Sequence, residues 1–203
     1  MNNIIFLNQY KKQKVLELSE NILNEYIDYY DFDGEIDIIN LLKKMNFKIL
    51  FKKEFERFDN DDIMLLSIHK YFTKIYGTEK VIFVNTYYSN NLIRYNLALL
   101  LGFYIMEYRG EKCFEKRQKV YPNKNDCKID NSVYNIFAIN VLMPEEIFLE
   151  KYAEFRALHH SHIKTTIELS NFCKVPVNIV EERYYHLKQK QPKKGKIYTF
   201  KKI

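Results

Sequence analysis

The side chains of this chain that could carry chemistry near neutral pH include five histidines, three cysteines and the adjacent carboxylates that follow Pro144. His159, His160 and His162 cluster around Ser161, and imidazole suits zinc, nickel and copper. Adjacent histidines point apart in most backbones, and no cysteine or carboxylate stands at a fixed ligand spacing, so the cluster reads as a solvated turn. His69 and His186 are lone histidines in aromatic surroundings and read as structural. Glu145 and Glu146 follow Pro144, where carboxylates suit the positive end of a helix; capping explains them better than catalysis. Cys113, Cys127 and Cys173 form no CxxC pair and no metal-finger spacing. Neither Cys113 nor Cys127 has an evident thiolate-stabilising partner. Thr165 to Leu187 has the outline of a helix-turn-helix around Lys174-Val175-Pro176-Val177. Its second helix offers Asn178, Glu181, Glu182 and Arg183, and two acids there would oppose phosphate. Packing is therefore the stronger reading and DNA contact the weaker one.

The framework that holds these residues is globular. Of 203 residues, 47% are hydrophobic and 29% charged, which excludes a disordered chain, and the length suits one domain with at most a small appended module. Lysine, asparagine and isoleucine are abundant in the manner of an AT-rich genome, so lysine and asparagine are discounted as functional signals. The net charge is +6, but its distribution matters more than its total. From Lys188 onward there are seven lysines and no acid, and the remainder carries 25 basic and 26 acidic residues. The body is neutral and the basicity sits in the tail, which excludes a globally basic nucleic-acid surface; the tail itself could touch an anionic partner. An odd cysteine count without a basic, apolar leader points to reduced thiols and a cytoplasmic location. The longest apolar run, Leu97 to Met106, is too short to span a membrane.

Periodicity supplies the elements. Lys14 to Tyr30 and Ile36 to Met45 carry helical stripes, Val15, Leu18, Ile22, Leu23, Tyr26 and Ile27 in the first and Ile38, Ile39, Leu42 and Met45 in the second. Phe47 to Phe51 reads as a short strand. Met64 to Tyr71 and Lys80 to Val84 are β-prone and separated by Tyr76-Gly77-Thr78, which predicts a hairpin and a three-stranded antiparallel sheet. Asn90 to Tyr108 is apolar nearly all round and should run through the core. Glu111 to Asp130 reads as a crossing segment. Helices are expected over Ser132 to Leu142, Glu145 to Phe155, Thr165 to Cys173 and Asn178 to Leu187.

Four blocks in order then carry a resemblance. Arg94-Tyr95-Asn96-Leu97-Ala98-Leu99-Leu100-Leu101-Gly102-Phe103-Tyr104 resembles the R-F-T-L-A-H-E-L-G-H-Y helix of the ImmA/IrrE family of zinc metallo-endopeptidases. Val81 to Asn85 resembles that family's I-x-V-N strand, and Asn135 to Pro144 its A-N-x-F-A-A-x-L-L-M-P helix. Leu169 to Leu187 resembles its closing segment, with Phe172, Val175, Val177, Val180 and Arg183 in register. The resemblance implies an α+β fold: a mostly helical, zincin-like domain with a small antiparallel sheet and a C-terminal helix-turn-helix-like segment. The expected division is a metallopeptidase-like domain over 1–155, a helical subdomain over 156–188 and a basic tail over 189–203.

The family's catalytic residues do not carry over. Its helix places two histidines at i and i+4 as zinc ligands, with a glutamate as general base for the metal-bound water. The matching positions here hold Leu99, Leu100 and Phe103, and positions 131–133, where a third ligand would stand, contain no acid. No metal and no cofactor are expected. Since the active relatives cleave a repressor- or antitoxin-like regulator, the resemblance implies a proteolytically inactive relative that binds a transcriptional regulator in a prophage or mobile-element context. The candidate peptide-binding edge lies among Met64–Tyr71 and Lys80–Asn85, marked by His69, Lys70 and Asn85. Two alternatives stay open: an active metallo-endopeptidase using another site, and a DNA-binding regulator acting through residues 169–203.

Overall fold

A computed structural model describes residues 2–26, 35–52, 63–107, 117–120, 131–159 and 161–190. In chain order these form α1 (Asn2–Tyr26), α2 (Ile38–Lys44), β1 (Phe47–Lys52), β2 (Met64–Ile68), α3 (Tyr71–Tyr76), β3 (Lys80–Asn85), α4 (Asn90–Glu107), β4 (Arg117–Val120), α5 (Asn131–Leu142), α6 (Glu145–His159), α7 (His162–Cys173) and α8 (Val177–Lys190). The architecture is α+β and mostly helical, as the sequence implied. No helix among the described residues is long and apolar enough to cross a membrane.

The sheet is mixed, which corrects the antiparallel expectation. Its order is β1-β3-β2-β4. β1 runs parallel to β3, with Phe47 opposite Lys80 and Lys52 opposite Asn85. β2 runs antiparallel to β3, and the short β4 adds antiparallel to the far side of β2. Alternation gives the sheet one deep face. Ile49, Ile82 and Leu66 stand in one row, and Phe51, Val84 and Met64 in the next. Leu66, Ile82, Val84 and Met64 are fully buried there. The Phe47 ring meets Tyr104 edge-on at 4.9 Å, which sets α4 against this face.

The hairpin expectation also needs correction. β2 and β3 do pair, but α3 intervenes between them. Tyr71, Phe72, Thr73, Ile75 and Tyr76 are residue types common in strands, yet they close one and a half helical turns. Gly77 explains the misreading. It sits at φ 75° as the C-cap, its N–H donating to Thr73 O, so the residue that looked like a hairpin turn ends a helix instead.

β3 is consequently a central strand, flanked by β1 and β2, and β2 is flanked by β3 and β4. The stretches expected to form an open edge are both interior. His69 and Lys70 lie past the end of β2, where the His69 N–H donates to Glu79 O at 2.9 Å and Nδ1 accepts from the Tyr71 N–H at 3.0 Å. Asn85 lies at the opposite end of β3, donating its N–H to Ile63 O at 2.9 Å. Antiparallel register thus puts His69 and Lys70 beyond one end of β3 and Asn85 at the other, with His69 and Asn85 six residues, roughly 20 Å, apart along the strand.

One apolar core joins all of this. Val15, Ile22, Leu42, Leu97, Phe137, Phe148, Leu169, Val180 and Leu187 belong to the same buried cluster. The boundary expected between residues 155 and 156 falls inside α6.

Candidate functional site

The surface to test is the contact between α4 and α5, because the motif positions lie on the first helix and the third-ligand positions on the second. The two helices approach closely at Gly102. A Cβ there would come within 2.8 Å of Phe137 Cδ1, so the glycine is what lets the Phe137 ring cross. Leu97, Ala98, Leu100 and Leu101 are buried on α4, and Phe137 to Asn140 on α5.

Leu100, which the sequence resemblance sets at the general-base position, is 1% exposed and inside the core. Leu99 and Phe103, which the resemblance sets at the two histidine positions, are half-buried and pack against that core. The Phe103 ring meets Tyr134 of α5 edge-on at 5.6 Å. Tyr134 is one residue beyond positions 131–133. This aromatic pair ties the two helices together. Leucine and phenylalanine offer no lone pair to a cation, so these positions do not fit a zinc ion. Among the described residues no three His, Cys, Asp or Glu side chains converge as a metal site requires.

The polar side chains of these apolar helices do structural work that the sequence reading overlooked. Arg94 is buried and joins three parts of the chain. Nη1 pairs with Glu35 at 2.9 Å, Nη2 donates to Ile36 O at 2.8 Å, and Nε donates to Lys174 O at 3.3 Å. The Lys174 ammonium also pairs with Glu35. Asn96 donates to Leu92 O within its own helix. On α5, Asn140 donates to Ile136 O at 2.6 Å and accepts from Arg183 Nη1 of α8 at 2.8 Å. Burial pushes the Arg183 guanidinium down to about 10, while the Glu145 carboxylate pulls it back up. Burial pushes the Cys173 thiol up to about 12, opposed by the Arg94 and Arg183 cations. A thiol held that high is no nucleophile at neutral pH. The available signal was an Arg-Tyr-Asn run inside the most apolar helix, since a buried charge must be paired to be tolerated.

The remaining candidates are placed as follows. The expected turn at His159–His162 is split between two helices: His159 ends α6 and His162 begins α7, with His160 outside the described residues. The His162 ring packs 4.6 Å from Tyr184, and Nδ1 lies 3.3 Å from the Tyr152 hydroxyl, which makes it part of an aromatic stack. His186 stands 3.8 Å from Glu182 on α8. Glu145 and Glu146 occupy the first turn of α6, as the capping reading required. α7 and α8 do form a helix-turn-helix with Lys174 in the left-handed region at φ 51°. Arg183, offered above as a base-reading candidate, is 1% exposed and faces inward; Asn178 and Glu181 remain on the exposed side. Cys113, Cys127 and most of the basic tail lie outside the described residues.

No curated protein matches the chain significantly. A family model does: residues 51–185 match the IrrE N-terminal-like domain (peptidase M78). The match takes in the sheet from the end of β1 onward, the α4–α5 contact and all but the last residues of α8, and on this span, well over half its length, the chain belongs to the IrrE N-terminal-like domain family.

Proposed function

We propose that this chain is a non-catalytic member of its family that binds a transcriptional regulator, or an antitoxin-like protein, without cutting it. One observation carries the reading. The positions matching the two zinc-ligating histidines and the general base hold Leu99, Phe103 and Leu100, and all three side chains pack into or against the apolar core. Apolar side chains there leave no buried polar group unpaired, which is what a fold relieved of its metal needs. The surface that engages a protein partner does not depend on the metal, so binding can persist where hydrolysis is gone. The genetic setting that fits is a prophage or mobile element encoding the regulator beside this chain.

The test has two parts. Metal analysis after mild purification is expected to find no stoichiometric zinc; one chelatable zinc per chain would restore the metallo-endopeptidase reading. A pull-down from the native host, followed by incubation, is expected to recover an intact regulator; a shortened partner would again favour the enzyme. A second reading, DNA binding through α7, α8 and the tail, draws on the helix-turn-helix geometry alone. Recovery of DNA in place of a regulator, with binding that weakens steeply as salt rises, would favour it.

A further inference from the structure

The odd member of the sheet is β4. It contributes four residues, Arg117-Gln118-Lys119-Val120, pairing with Ser67, Leu66, Leu65 and Met64 in turn. The strand it covers is of the opposite character. β2 is Met-Leu-Leu-Ser-Ile, with its first four side chains buried, and the longer β3 secures its other side through five register pairs. The strand therefore keeps its place in the core whether or not β4 is present. Its second edge would then expose a row of unmet backbone donors and acceptors, which is what recruits an extended peptide. A four-residue strand is shorter than the commonest length of about five to six and holds such an edge weakly. Because it belongs to the same chain, however, it acts at a high effective concentration and outcompetes a weak ligand.

We propose that β4 is an exchangeable occupant of the β2 edge: a proline-free extended segment of the protein partner displaces it and pairs antiparallel with Met64–Ile68. β4 thereby acts as a threshold, admitting only a segment that pairs better than four residues of the chain itself. This rests on the partner-binding reading, and it assigns the contact to β2 rather than to His69, Lys70 or Asn85.

The probe is a fluorescein-labelled peptide of the chain's own residues 116–121, Lys-Arg-Gln-Lys-Val-Tyr, titrated into the full chain. Neighbouring residues of a strand aim their N–H groups at opposite edges, so in the double variant Gln118→Pro/Lys119→Pro one proline removes a donor facing β2. That variant is expected to bind the peptide at least about tenfold more tightly than the parent. The complementary variant, Ser67→Cys/Arg117→Cys with Cys113→Ser and Cys127→Ser, joins residues that are register partners. Oxidised, it is expected to bind no peptide; reduced, it should return to the parent's affinity. Hydrogen exchange on the unaltered chain gives an arm free of folding defects: β4 amides should exchange at least about tenfold faster than those of β3. Equal exchange, equal affinity in all forms, or no binding by the proline variant would overturn the proposal. None of these readouts changes if the chain proves to hold zinc or to cut its partner, so the two readings fail separately.

Discussion

Leu100 separates a closed site from a merely damaged one. On the proposed alignment with the general base it is 1% exposed, flanked by the half-buried Leu99 and, a turn on, by Phe103 against Tyr134. Restoring the motif by Leu99→His, Leu100→Glu and Phe103→His would strip apolar contacts from the α4–α5 seam and bury a carboxylate in the apolar core. The expected loss is on the order of 3–6 kcal/mol, most of it from Leu100→Glu. A urea titration should show the midpoint falling well below the parent's, with no zinc-dependent proteolysis gained, because positions 131–133 still supply no acid. An unchanged midpoint would show the face to be exposed and the packing argument to be wrong. The seam has another narrow point at Gly102, where even a methyl group would press on Phe137.

Helices were more legible than strands, for a physical reason. The stripes of α1 and α2 repeat with the helical period, and each expected helix overlaps an observed one. Strand order has no such local signature. Nothing within Phe47–Phe51 states that β1 will pair parallel to β3, which follows from where β2 crosses. The strand expected over Met64–Tyr71 runs into the first residue of α3, and the Gly77 expected in a hairpin turn is the left-handed cap that ends that helix. The helix that carries the motif positions was readable because its apolar run is local in sequence. The ties made by Arg94 and Arg183 were not, because their partners Glu35 and Asn140 are far away in sequence. α8 offers a measurable consequence. Burial raises the Glu182 carboxyl above its ordinary value near 4.5. The folded chain therefore binds that proton at a pH where the unfolded chain has already lost it. Stability falls as pH rises from about 4.5 through the raised value and stays lower above it. Glu182→Gln should accordingly be slightly more stable than the parent at pH 7, by a few degrees at most in Tm, and the difference should vanish below the ordinary carboxylate range. A variant less stable at pH 7 would mean that the His186 contact at 3.8 Å outweighs the burial penalty.

The family match begins at residue 51, but the folded unit extends well before it. Val15, Ile22, Leu23, Ile36, Ile38, Leu41, Leu42, Met45 and Phe47 are buried members of the common core, and all precede the match. β1 supplies six register pairs to β3, of which four lie before residue 51. Glu35 and Ile36 receive the Arg94 guanidinium from the middle of α4. Removing residues 1–50 would open the parallel side of β3, strand the Arg94 charge with one acceptor in place of three, and expose the α5 surface that α1 covers. Burial of a large apolar side chain is worth about 1.5–3 kcal/mol, so losing nine of them matches or exceeds the whole stability of an ordinary domain, about 5–15 kcal/mol. A fragment of residues 51–185 is therefore expected to lack a cooperative melt and to bind a hydrophobic dye in the manner of a loosely packed state. The fragment of residues 1–190, which keeps every described element, should unfold in one sharp transition close to that of the full chain. A sharp transition from the 51–185 fragment would show that α1, α2 and most of β1 are dispensable appendages, and that the core is smaller than the packing of Val15 through Phe47 requires.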